Sequence, residues 1–303
     1  MVGDELVWAK GFGEQLDLST VYMIGSINEI FITTAILQLW EQGLIDLDDD
    51  INEYLPYSVR HPDYPDEPIT IRMLLTHTSG LDMDGPMVRW ELVNQYNIPG
   101  LVNYLFPPSE EKLGKIFDIE SGEGPDFWLF RPGTGYQYSK TAFYLLLASI
   151  IEEVSGQSYT AYLQEHVIIP LGMENISFDA SDYPQEQLAI PYEDFTTNGR
   201  SDFPLTGMSA SGKLRTNVLD LANFLLAHMN HGALGNRRIL EPESVAMMHE
   251  RHRHLNINHS PLDINGIGMG WFLFQPISQQ PGAGARLASA LSPDLRNVGL
   301  LQF

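Results

Sequence analysis

The chain has 303 residues, 44% of them hydrophobic, and a formal charge of −22 from 39 acidic against 17 basic residues. That length and apolar content suffice for a large core, while the negative field repels phosphate backbones and anionic lipid and argues against nucleic-acid or membrane-surface partners. The sequence has 0 cysteines, which excludes disulfides, thiolate metal sites and a cysteine nucleophile but leaves the compartment open.

No apolar run is long enough to span a bilayer. The opening Met1-Val2-Gly3-Asp4-Glu5 is acidic where a secretory signal needs a basic start. Glu5 to Gly13 reads as a strand ending in glycines. A helix follows Ser26, with Ile30, Thr33, Thr34, Leu37 and Trp40 on one face and Gly43 as its stop. Asp46 to Asp50 is an acidic turn without the glycine and ligand spacing of a calcium loop. Residues 69–81 form a helical turn closing on Gly80-Leu81, and about 82–131 is irregular, broken by Pro107-Pro108 and Gly122-Glu123-Gly124-Pro125.

A second strong helix covers 141–154, with Leu145, Leu146, Ile150 and Val154 at helical spacing and Gly156 as terminator. A third covers 219–228, after the turn-rich Ser209-Ala210-Ser211-Gly212. Strands are expected over 268–274, 285–291 and 298–303. Strands at both ends around a helical middle predict an α+β chain with one antiparallel sheet and an inserted helical region.

Several blocks carry a resemblance. Ile24-Gly25-Ser26, the run from Ala35 to Pro56, Leu74 to Leu81, Arg131-Pro132-Gly133-Thr134 leading to Tyr138-Ser139, Ile169 to Met173, and Ser209 to Leu225 occur in one order over most of the chain. Together they resemble the serine β-lactamases and penicillin-binding proteins, in particular the branch of class C β-lactamases, D-alanyl-D-alanine carboxypeptidases and esterases. The resemblance implies a β-lactamase/transpeptidase-like fold over 1–303. The antiparallel sheet with its flanking helices comes from about 1–40 and 215–303, and the inserted helical subdomain from about 41–214. Relative to that family, an N-terminal helix with its first strand and a terminal helix are missing from this chain. That gap implies either that the chain is a fragment of a longer protein or that a second copy or another partner covers the apolar sheet face it leaves.

The family's chemistry rests on S-x-x-K, Y-x-N and a K-T-G or H-x-G strand. By resemblance Ser26 is the nucleophile and Tyr138 its general base. Glu29, however, stands where lysine is expected and Lys140 where asparagine is expected. The third motif is placed at Gln280-Pro281-Gly282, with the N–H groups of Ser26 and Ala283 holding the oxyanion. A serine hydroxyl needs a base to become a nucleophile, so the two exchanged charges pose the functional question. One reading is a rewired serine hydrolase, acting on a small ester, amide or D-amino-acid peptide without cofactor or metal. In it Lys140 and Glu29 form a charge pair tuning Ser26 and Tyr138. The other reading is a catalytically impaired pseudoenzyme that serves as a binding or interaction module.

Three other features take ordinary readings. His249-Glu250-Arg251-His252-Arg253-His254, with His259 beyond, is a solvated helix end or loop, because interleaved arginines repel a cation and H-E-x-x-H is absent. His77 is a hydrogen-bonded histidine at a helix end. Tyr54, Trp90, Phe127, Trp128 and Phe130 are core or rim aromatics.

Overall fold

The computed structural model describes residues 9–11, 17–56, 58–82, 128–139, 142–189, 214–254 and 264–274. Most of the opening strand, both C-terminal strands, Lys140, and Gln280, Gly282 and Ala283 lie outside the described residues.

The centre of the fold is helix α1, Asn28–Glu41. Its sequence is apolar on nearly every face, and Asn28 through Leu39 are all buried, so the stripe expected from 3.6-residue spacing is in fact a helix enclosed all round. Polar residues inside it are satisfied locally. Thr33 and Thr34 donate to the carbonyls of Glu29 (2.9 Å) and Ile30 (2.8 Å), as threonine does in helix interiors. Gln38 donates to the carbonyls of His166 and Ile239 at 3.0 and 2.9 Å, tying α1 to two distant segments.

Around it lie the short α2 (Ile71–Leu75), α3 (Ala148–Ser155), α4 (Tyr159–Leu163), α5 (Val218–Met229) and α6 (Pro242–His249). Phe31 of α1 stacks on Phe224 of α5 with centroids 3.9 Å apart. The hydroxyl of Tyr159 in α4 donates to Asn28 Oδ1 at 2.9 Å.

The helix expected over 141–154 departs from expectation in its first half. Ala142–Leu147 is a π-helix, all six residues buried, before the chain relaxes into α3 and ends on left-handed Gly156. A π-turn holds one more residue than an α-turn and swings the side chains that follow.

Among the described residues the strands are short and antiparallel. Tyr22–Met23 (β1) and Ile176–Ser177 (β2) flank Arg215–Thr216 (β3), with Met23 opposite Arg215. Ala233–Leu234 (β4) pairs with Arg237–Arg238 (β5). Arg253–His254 (β6), Ile264–Ile267 (β7) and Phe272–Phe274 (β8) form a third sheet. The strand expected over 268–274 is thus the second arm of a hairpin. Its turn closes through Gly268 N–H to the Trp271 carbonyl (2.8 Å), with Gly270 at a φ of 71°. A β-carbon on Gly270 would lie 2.7 Å from Thr33 Oγ1, so glycine lets this turn press on α1.

The histidine-rich segment also resolves. His249 packs edge-on against Trp271 (4.8 Å), and buried His228 lies 5.8 Å from each ring. Burial pushes His228 down to about 3 and His249 to about 4, so both are neutral at pH 7. Among the described residues no group of three or more histidine, aspartate or glutamate side chains is placed to hold a metal ion, and no helix is long and apolar enough to cross a membrane.

Glu152, at the end of α3, accepts the Tyr159 N–H at 2.7 Å, while its Oε2 has no partner among the described residues. Burial pushes its carboxyl up from 4.5 to about 7. A carboxyl raised in the native state binds a proton that the unfolded chain has released. Its contribution to stability is therefore full below about pH 4.5 and lost as pH rises through about 7. Glu152→Gln keeps the acceptor and removes the charge. Its melting temperature relative to the parent should rise between pH 5 and pH 8, and an offset that stays constant over that interval would refute the assignment.

Candidate active site

The entry into α1 sets two of the site's side chains. Ile24 N–H bonds to the Leu214 carbonyl at 2.9 Å, anchoring the end of β1 beside β3. Gly25 turns with a φ of 56°, and Gly25–Ile27 make a 3₁₀ turn running directly into α1. Residues three apart on such a turn share a face, so Ser26 and Glu29 point the same way. Ser26 remains partly exposed, whereas Glu29 is 1% exposed.

Tyr138 reaches the pair from residues 136–139, which His77 grips at two points. The His77 carbonyl accepts the Gln137 N–H at 3.0 Å, and its Nδ1 accepts the Ser139 N–H at 3.1 Å. To do so His77 adopts a φ of 54°, uncommon for a residue with a side chain. Its ring packs 4.7 Å from Tyr138 and 4.8 Å from Phe143. Because Nδ1 is an acceptor, the neutral ring carries its proton on Nε2, a tautomer assigned from this bond. That nitrogen lies 3.5 Å from Glu29 Oε2.

The Tyr138 hydroxyl lies 2.7 Å from Ser26 Oγ and donates to Glu29 Oε1 in a short hydrogen bond. A phenol has one proton, and a carboxylate is the stronger acceptor. Tyr138 therefore donates to Glu29, leaving Ser26 to donate to the Tyr138 oxygen. The outcome is a directional chain from Ser26 to Tyr138 to Glu29, with His77 Nε2–H approaching the second carboxylate oxygen. Burial, followed by the charge of Glu29, pushes the Tyr138 phenol well above its ordinary value of 10. A nearby cation would have had the opposite effect. Among the described residues Glu29 has no lysine or arginine partner.

Tyr144, in the middle of the π-helix, is a further neighbour. It is 2% exposed, and its hydroxyl has no hydrogen-bond partner among the described residues. Ser26 and Glu29 are the polar side chains that act on it most directly.

Of the residues expected at the site, Ser26, Glu29 and Tyr138 come together; Lys140, Gln280, Gly282 and Ala283 are outside the described residues. His77 holds the structural place that the sequence suggested and, in addition, faces Glu29. Neither its contact nor that of Tyr144 leaves a local signal. The exchange of lysine for Glu29 was the one available hint, since a buried carboxylate demands donors from somewhere. Tyr54 and Trp128 pack against the core, while Trp90 and Phe127 lie outside the described residues. The surface groove lined by Thr160, Gln164, Ile168, Phe178 and Leu214 shares no residue with the Ser26 cluster.

Comparison with known proteins agrees with the geometry. The family model described as Beta-lactamase matches residues 1–294. Protein flp of Staphylococcus aureus (strain MW2) is 26% identical over 274 residues, covering 87% of this chain and 49% of that protein. Penicillin-binding protein 4* of Bacillus subtilis (strain 168) is 29% identical over 178 residues, covering 56% of this chain and 35% of that protein. Among solved structures, the octameric penicillin-binding protein homologue from Pyrococcus abyssi superposes with a TM-score of 0.70 at 27% identity, covering 89% of this chain and 59% of that one. The D-amino acid amidase from Ochrobactrum anthropi SV3 shares the fold, with a TM-score of 0.59 at 23% identity, covering 86% of this chain and 69% of that one. The chain spans 49% or less of the curated relatives quoted.

The grip of His77 can be tested apart from any activity. Asparagine tolerates positive φ, so His77→Asn isolates the ring's contribution. Leaving the buried Ser139 N–H and Glu29 short of partners should cost about 1–3 kcal/mol, read from urea unfolding midpoints; an unchanged midpoint would remove His77 from this role.

Proposed function

The chain belongs to the Beta-lactamase family, and from that premise we propose that it is a serine hydrolase with a rewired proton path, transferring an acyl group from a small ester or amide to water. The observation that supports this reading is the continuous hydrogen-bonded chain Ser26–Tyr138–Glu29.

In this scheme Tyr138 does not need to be a free phenolate, a state that its surroundings oppose. As Ser26 Oγ bonds to the acyl carbon, its proton passes to the Tyr138 oxygen and the Tyr138 proton passes to Glu29. Negative charge then resides on the former carbonyl oxygen. The Ser26 N–H, in the 3₁₀ turn that leads into α1, and the Ala283 N–H are the donors proposed to receive it. When the tetrahedral species collapses, the bond to the leaving group breaks. Glu29 returns its proton through Tyr138 to the departing oxygen or nitrogen. A water repeats the two proton transfers to release the acid and restore Ser26.

His77 Nε2 lies 3.5 Å from Glu29 Oε2, and Lys140 is proposed as the compensating charge. Self-association is proposed by likeness to the octameric penicillin-binding protein homologue from Pyrococcus abyssi.

The alternative, a binding module with a retired site, draws its support from one feature: the phenol is set against a carboxylate instead of a cation. Intact-protein mass spectrometry after exposure to a fluorophosphonate separates the two readings. A single adduct is expected on the parent and none on Ser26→Ala. Glu29→Gln should label and hydrolyse p-nitrophenyl esters about 10²–10⁴-fold more slowly, the usual cost of losing a general base. Folded parent protein that forms no adduct would favour the binding module.

A further inference from the structure

Tyr144 is an anomaly that the proton path leaves unexplained. A buried hydroxyl without a partner forfeits its hydration for nothing in return, and native interiors retain few of them. Phenylalanine would fill the same space at that position without the penalty. Tyr144 lies within the buried π-helix Ala142–Leu147, and its hydroxyl is near enough to Ser26 and Glu29 for both to act on it as hydrogen-bond neighbours, yet it completes a well-formed hydrogen bond with neither. Tyr144 sits in a π-turn, and such turns recur at functional sites.

We infer that Tyr144 is a catalytic residue whose hydroxyl donates to Ser26 Oγ only as that oxygen gives up its proton. This rests on Ser26 being the nucleophile, as proposed above. In the resting enzyme Ser26 is a neutral hydroxyl engaged with Tyr138, and Tyr144 gains little from it. As the proton leaves toward Tyr138, partial negative charge passes through Oγ on its way to the former carbonyl oxygen, and the Tyr144 O–H is a donor with no other hydrogen-bond partner among the described residues. Its proton stays on Tyr144 throughout, in keeping with burial pushing that phenol well above 10. No bond other than the hydrogen bond is made or broken. An interaction absent from the ground state and present in the transition state contributes wholly to rate. The arrangement therefore couples a local loss of stability to a gain in turnover.

The coupling makes the test sharp, because Tyr144→Phe should move stability and activity in opposite directions. Its melting temperature should equal or exceed the parent's. Fluorophosphonate labelling of Ser26 and kcat for a p-nitrophenyl ester should fall at least about tenfold with KM unchanged, toward the range measured for loss of one preorganised donor. Tyr144→Met, which fills the site without a donor, carries the same expectation if the phenylalanine variant expresses poorly. Labelling and kcat within twofold of the parent in a folded variant would overturn the inference while leaving Ser26 as the nucleophile. A parent whose Ser26 takes no label would overturn the proposed function and this inference together.

Discussion

One buried carboxylate organises the cleft. Glu29 is 1% exposed, and an ionised carboxylate removed from water is tolerated only when donors replace the solvent. The phenol of Tyr138 donates to one carboxylate oxygen, and His77 Nε2 lies 3.5 Å from the other. Both groups come from one joint, since His77 fixes Tyr138 by accepting the N–H groups on either side of it. The position of Glu29 in the first turn of α1 helps as well, because the positive end of a helix favours an anion. A lysine there would need the opposite environment. The exchange of charge at this one position therefore changes what the whole cleft must provide.

Much of the framework was legible in the sequence, for identifiable reasons. The entry of α1 could be read because glycine, serine and an apolar run follow one another directly, and the stop of α3 because Gly156 takes the left-handed φ of 70° that glycine tolerates. The π-helix was hidden. Ala142 through Leu147 is apolar at nearly every position, so inserting one residue into a turn disturbs no visible periodicity. The hairpin over 264–274 was hidden for a related reason: Gly268 and Gly270 were read as the beginning of a strand, when they are the turn that lets the chain reverse. The contacts of His77 and Tyr144 with Glu29 join positions 48 and 115 residues apart in numbering, and no local pattern reports such distances.

The family lysine and the present glutamate imply different energetics for the same serine. A cation beside a tyrosine lowers the cost of forming a phenolate, and the phenolate then takes the serine proton. A carboxylate beside the tyrosine raises that cost, yet it offers a final acceptor beyond the phenol. The decisive quantity then shifts from the acidity of Tyr138 to the difference in proton affinity between Ser26 and Glu29, with Tyr138 passing one proton while releasing another. Such a path needs all three groups within hydrogen-bonding reach at once, and the 2.7 Å approach of Tyr138 to Ser26 together with its bond to Glu29 meets that condition.

Under the proposed relay the unpaired hydroxyl of Tyr144 acquires a use. Every donor already engaged in the resting cluster stabilises the ground state along with the transition state, and such an interaction does not accelerate the chemical step. Tyr138 is hydrogen-bonded to Glu29 in the resting cluster, and His77 Nε2 lies 3.5 Å from it. A donor able to respond specifically to charge on Ser26 Oγ must therefore be one that is idle beforehand, and among the described residues Tyr144 has that property. Its burial matters for the same reason: an exposed phenol would be hydrogen-bonded to water and would have to release it, whereas an enclosed one meets the growing charge at full strength in a low dielectric. In the proposed mechanism the unpaired hydroxyl of Tyr144 and the activation of Ser26 are in this sense one physical arrangement.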